Sequence, residues 1–170
     1  MPNLDQMLKA IASNLEEFER GLRSAPGDLH ELKIRLANLL NAPVYDETKR
    51  EYVPSDSLAV FYTAEGQSLQ KTDVAGTSPV LVVFLRFSWV TPYVMLDWKR
   101  TVNGREWQTL GRDQLPAKLG HLSDEVARFL DAQGYQVLSG AILEQTLPDR
   151  ASELDDSPLT VHEGVFSALD

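Results

Sequence analysis

The chain predicts an α+β fold, with helical segments first, a series of strands through the middle and a further helix behind them. Three observations carry this. Leu4, Leu8, Ile11, Leu15, Phe18 and Leu22 recur at intervals of four and three, which lines one face of a helix. Leu58–Thr63, Val80–Ser88 and Tyr93–Val102 are rich in β-branched and aromatic residues, the types that suit a pleated, half-buried surface. Asn103-Gly104 follows, a pair that tolerates the positive φ angles of a two-residue hairpin turn.

The first helix is expected over about residues 4–23. Asn3 is placed as its N-cap, and Gln6 can reach back to close a capping box. Ser24-Ala25-Pro26-Gly27 breaks it, and Asp28 caps a second helix carrying Leu29, Leu32, Leu36 and Leu39. Asn41-Ala42-Pro43 stops that helix. Two amphipathic helices joined by so short a loop are expected to pack as an antiparallel hairpin over residues 1–43, with the seam buried inside the monomer. The same heptad spacing would also serve a coiled-coil dimer.

Residues 44–56 read as a polar loop. The strands then follow in series, with Glu65-Gly66 ending the first and Thr91-Pro92 interrupting the run. A two-residue turn at Asn103-Gly104 sets Arg100 opposite Trp107 and Trp98 opposite Thr109. Trp98, Arg100 and Trp107 then share one face, close enough for a cation–π contact. A third helix starts near Asp113, with Pro116 in its first turn and Leu119, Leu122, Val126, Phe129 and Leu130 as its buried stripe. Gly134 ends it, and Tyr135–Leu138 reads as another strand. Residues 141–147 fit a short helix or a strand, and Leu159–Val161 either pairs with the sheet or hangs free. Strands grouped between helices favour an antiparallel β-meander over a doubly wound sheet. The expected organisation is one domain over 1–170: a helical hairpin (1–43), a sheet plus helix (57–143) and an acidic segment (144–170).

The totals narrow the chemistry. With 170 residues, 43% hydrophobic and 24% charged, the chain has material for one ordinary core. It contains no cysteine, which removes disulfides, cysteine–zinc sites and thiol nucleophiles. Net charge is −9, and residues 144–170 hold −6 of it through seven acids against Arg150 alone. That balance opposes nucleic-acid binding, which draws on clustered Lys and Arg. The N-terminal segment has no basic stretch followed by an apolar one, and the longest apolar run, Val80–Leu85, is too short to span a bilayer. A cytoplasmic protein that does not engage a membrane is the expectation.

No catalytic motif stands out. His30, His121 and His162 have no second histidine at helical zinc spacing. No glycine-rich loop opens a helix after a strand, and Ser139-Gly140 lacks the leading glycine of a nucleophile elbow. The expectation leans against an enzyme without closing the question, and no cofactor or metal is expected. Asp97 would be half-buried beside Lys99 or Arg86 if its face of the sheet is covered. The aromatics are more informative. Trp89, Tyr93, Trp98 and Trp107 crowd into nineteen residues, and Trp, Tyr and Arg dominate interface hot spots. Trp89, beside the Ser88–Pro92 break, is the one expected to be exposed.

The reading that follows is a non-enzymatic protein-binding module, monomeric or homodimeric, whose acidic surface meets a partner, a basic one if charge steers the encounter. Its binding residues would be Trp89, Tyr93, Trp98, Arg100 and Trp107, with Glu153, Asp155 and Asp156. In size, charge and α+β character the chain resembles small acidic bacterial interaction proteins such as toxin-neutralising immunity proteins and type III secretion chaperones. Two alternatives remain. One is a small-ligand binder with a pocket between sheet and helices lined by Phe84, Phe87, Tyr93 and Trp98. The other is a hydrolase or isomerase built on scattered carboxylates with His30 or His121.

Overall fold

A computed structural model describes residues 3–19, 29–48, 55–88, 91–101, 106–138, 140–152 and 155–166. It is α+β, with helices at both ends of the described chain and a mainly antiparallel sheet between them. Helix α1 spans Leu4–Glu19 and α2 spans Leu29–Leu40. The capping box at the start of α1 is formed: Gln6 N–H donates to Asn3 Oδ1 at 2.8 Å, and Asn3 N–H donates to Gln6 Oε1 at 3.1 Å.

The sheet is built on β2 (Ser55–Thr63), β4 (Val80–Ser88), β5 (Tyr93–Thr101) and β6 (Trp107–Leu110), antiparallel neighbours in that order. Two-residue strands flank β2: β1 (Tyr45–Asp46), inside the stretch expected to be loop, and β3 (Ser68–Leu69). Helix α3 (Ala117–Ala132) follows the sheet and ends as the sequence indicated. Gly134 takes a φ of 90°, and Tyr135 N–H donates to Leu130 O at 3.0 Å, the wrap that satisfies a last-turn carbonyl. Strand β7 (Gln136–Leu138) then joins the sheet parallel to β5, a departure from a pure meander. It lies beside Tyr93–Met95 while β6 lies beside Trp98–Thr101, so Leu96 and Asp97 sit where the two neighbours part.

The β5–β6 register differs from the expected one by a single residue. Thr101 pairs with Trp107 and Trp98 with Leu110. Residues 103 and 104 lie outside the described residues, but this pairing is one residue longer than a two-residue turn there would set. Because side chains alternate with period two, the slip moves Trp107 to the opposite face from Trp98 and Arg100. The expected cation–π trio is therefore not assembled.

Strand alternation divides the sheet into a front and a back. The front carries Leu58, Val60 and Tyr62, then Leu81, Val83, Leu85 and Phe87, then Val94, Leu96 and Trp98. Helices α2 and α3 cover it through Leu32, Leu36, Leu40, Leu119, Val126 and Leu130, giving one continuous core. Helix α1 is not part of that core. Its Leu8, Ile11 and Leu15 are buried on the back, against Tyr93, Met95 and residues from the end of the chain. The two N-terminal helices thus serve opposite faces of the sheet and do not share a hairpin core. Each stripe finds a larger apolar surface on the sheet than the other helix could offer.

The acidic segment also has structure. Strands β8 (Thr146–Ala151) and β9 (Pro158–Thr160) pair antiparallel, and helix α4 (Val161–Phe166) follows. Leu147, Val161, Val165 and Phe166 are buried in the core that α1 enters. Glu163 anchors the start of α4 by accepting from Thr160 N–H and Oγ1 at 2.8 and 2.9 Å. No helix among the described residues is long and apolar enough to cross a membrane.

Candidate functional site

The back of the sheet is covered at its two ends and left open between them. One end is closed by α1 and α4. At the other, a 3-10 turn over Lys71–Gly76 places Val74 against a small core of Ala59, Phe61, Val80 and Val82. Beside that turn is a hollow of about 420 Å³, lined by Phe61, Val74, Ala75, Phe84, Thr101 and Trp107, with Glu47 and Lys71. Phe84 and Trp107 meet edge to face, ring centres 6.3 Å apart at 78°, an arrangement favoured by the ring quadrupoles. Trp107 is 42% exposed, whereas Trp98 is 4% and Tyr93 1% exposed. Lys71 pairs with Glu47 and lies 5.9 Å from the Tyr45 ring centre.

Phe84 also borders a charged seam. Lys99 Nζ lies 5.7 Å from the Phe84 ring centre and 3.8 Å from Asp97 Oδ2. Arg86, one step along the same face of β4, donates through Nε to Ser57 Oγ at 3.3 Å. Its Nη1 lies 3.3 Å from His162 Nε2. A guanidinium only donates, so Nε2 must offer its lone pair and the histidine proton must sit on Nδ1. Burial, reinforced by the Arg86 charge, holds the His162 pKa below its ordinary value, so the ring is neutral at pH 7. Burial raises Asp97, and the Lys99, Arg86 and His162 charges oppose that rise. Burial likewise lowers Arg86, with Asp97 opposing. The seam therefore gathers Arg86 and Lys99 around a single carboxyl group, that of Asp97.

This geometry suits recognition better than proton transfer. A general base must have its lone pair free for the proton it abstracts. In the seam the His162 lone pair faces Arg86, and Ser57 Oγ accepts from the same side chain. Among the described residues no group of three or more His, Asp or Glu is placed to hold a metal ion.

The residues singled out from sequence are dispersed. Tyr93 is buried under α1, and its hydroxyl accepts from Asn14 Nδ2 at 2.8 Å. Trp98 is buried on the front, with Nε1 donating to Ser123 Oγ of α3 at 3.1 Å. Arg100 is half-buried on the front and donates to Gln108 Oε1 at 2.8 Å. Trp107 is the exposed aromatic of this set and lines the hollow beside the 3-10 turn. Trp89 and Glu153 lie outside the described residues. Asp155 and Asp156 are exposed between β8 and β9, and Asp155 is tied into its own turn by Ser157 N–H and Oγ at 3.1 and 2.7 Å. The expected pocket of Phe84, Phe87, Tyr93 and Trp98 does not form, because Phe84 and Tyr93 face the back and Phe87 and Trp98 the front.

Sequence reasoning weighed Arg86 only as a partner for Asp97, and His162 only as a metal ligand lacking a second histidine. Arg86 carried a signal, being the one charge inside the apolar run Val80–Ser88. His162 carried less, since Val161, Val165 and Phe166 show their helical spacing only once α4 is known. Comparison with protein-family models, curated proteins and solved structures finds no match.

Proposed function

We propose that this protein is a non-enzymatic binding module that takes an extended segment of a protein partner along β6, with an apolar side chain of that segment in the hollow beside Trp107. The observation that carries the reading is the exposure of Trp107 next to a formed aromatic hollow, when the other described tryptophan is core. Large aromatics in partly enclosed pockets are where interface energy concentrates. β6 ends the strand order of the sheet among the described residues, and an edge strand can accept an added strand, whose main-chain bonds give affinity while a pocket gives specificity. Net charge of −9, with Asp149, Asp155 and Asp156 exposed, favours encounter with a basic partner.

Panning a random peptide display library on the wild type and on Trp107→Ala tests the reading. The expected ligands carry one aromatic or aliphatic anchor flanked by Lys or Arg, lose at least about tenfold in affinity on Trp107→Ala, and shift the amide resonances of residues 107–110. Peptides that bind both proteins alike, or that shift other amides only, overturn it.

A further inference from the structure

We infer that a second cavity, between α2, α3 and the turn joining β2 to β3, is a binding site for a small organic monocarboxylate. The cavity measures about 440 Å³, within the range of small-molecule sites. Leu39, Leu40 and Leu122 form its apolar wall, and Tyr62 and Lys118 also line it. Tyr62 is 2% exposed, and its hydroxyl has no hydrogen-bond partner among the described residues. A buried polar group in that condition costs free energy and calls for an explanation. A ligand acceptor that reaches it is one.

The chemistry of the lining selects the ligand. Burial raises the Tyr62 pKa, so the phenol keeps its proton and can only gain by donating it. Lys118 supplies the charge to accompany that donor. Gly66 turns the chain at a φ of 85°, and Lys118 Cδ lies 3.7 Å from where a Cβ on Gly66 would stand, so the lysine stem is laid along the turn. Glu125 also lines the cavity but sits seven residues further along α3, about 10 Å at the rise of a helix. Lys118 and Glu125 therefore lie two turns apart on the lining, with His121 between them, and Lys118 is the one beside the Gly66 turn. One lysine in a strongly acidic chain favours a monoanion over a phosphate dianion, and the leucine wall calls for an apolar body. This site is on the front of the sheet and stands or falls apart from the β6 reading.

The test is an amide-resonance titration of the full chain with benzoate and with hexanoate, alongside inorganic phosphate and benzyl alcohol. Saturable shifts on α2, α3 and β3 with the two carboxylates are expected, with phosphate and benzyl alcohol at least about tenfold weaker. Tyr62→Phe and Lys118→Met should each weaken carboxylate binding about tenfold or more, the worth of a hydrogen bond to a charged group. Tyr62→Phe should at the same time raise the Tm of the ligand-free protein, since it deletes the unpaired hydroxyl. A higher Tm with no saturable carboxylate binding in the wild type overturns the proposal. Binding that survives both substitutions, or benzyl alcohol or phosphate binding as tightly as benzoate, overturns it equally.

Discussion

The front and the back of the sheet are made by the same strands and covered in different ways. On the front, α2 and α3 lie over an uninterrupted apolar surface from Leu58 to Leu110. On the back, the same strands present two apolar patches, and between them lies the strip of Arg86, Asp97, Lys99 and Ser57 that His162 partly covers. β4 shows the contrast within nine residues. Leu81, Val83, Leu85 and Phe87 on its front are all core, whereas Phe84 and Arg86 on its back are only half-buried. A covered apolar face gives stability and fixes register. A face with a gap in its cover keeps polar groups and an exposed aromatic within reach of other molecules, at some cost in stability. The candidate partner surface is accordingly on the back.

The sharpest way to break the contrast is to hollow out each face in turn. Leu36→Ala on the front and Ile11→Ala on the back remove fully buried side chains, and each should cost about 2–5 kcal/mol. The distribution should differ. Leu36→Ala should raise amide exchange throughout the sheet. Ile11→Ala should raise it mainly in α1, α4 and β8, as a sub-global opening. Uniform loss of protection in both variants would mean the faces fold as one unit and the contrast is only visual.

A smaller effect is expected at the polar anchor of the front. Ser123→Ala leaves the buried Trp98 Nε1 without its acceptor and should cost about 1–3 kcal/mol by denaturant unfolding. A loss under half of that would show that Trp98 is held by packing alone.

The back should show its own pH signature. His162 has a folded-state pKa below its unfolded value of 6.5. Its stabilising contribution is therefore present above pH 6.5 and is lost as pH falls through the folded pKa, because the unfolded chain takes up the proton first. His162→Gln keeps an acceptor for Arg86 without titrating. It should flatten the stability profile below pH 6.5 and leave it nearly unchanged at pH 8. Parallel profiles for the two proteins would remove His162 from the acid response.

Trp107→Ala should have the smallest effect on stability. The side chain is 42% exposed, so its loss should cost about 1 kcal/mol or less while weakening peptide capture along β6 at least about tenfold. A large drop in Tm would make Trp107 a structural residue and return the back to the same status as the front.

Local signals were legible in the sequence wherever a few neighbouring residues decide the outcome. Asn3 with Gln6 and Gly134 with Tyr135 mark helix ends by backbone hydrogen bonds reaching only a few residues. The strand runs and the α+β class followed from periodicity. Packing partners were less legible. The stripes of α1 and α2 have the same spacing, and nothing in either says which face of the sheet it will meet. Register failed for a related reason, since Asn103-Gly104 indicates a turn but one added residue reverses every side chain after it. Net charge also hid the core of the last segment. Leu147, Val161, Val165 and Phe166 are few among acids, and they become core only because α1 and the back of the sheet supply the rest of the apolar surface.

That shared core also sets an order of events for a chain emerging from a ribosome. The apolar stripe of α1 is made well before residues that help enclose it, Leu147, Val161, Val165 and Phe166. At about 5–20 residues per second the interval is on the order of ten seconds. During that time Leu8, Ile11 and Leu15 lack the part of their cover that Leu147 and α4 supply, while β2, β4 and β5 can already pair with near neighbours in sequence. The back of the sheet is therefore the late-closing side of the nascent chain, and α1 is the segment with most to gain from a chaperone.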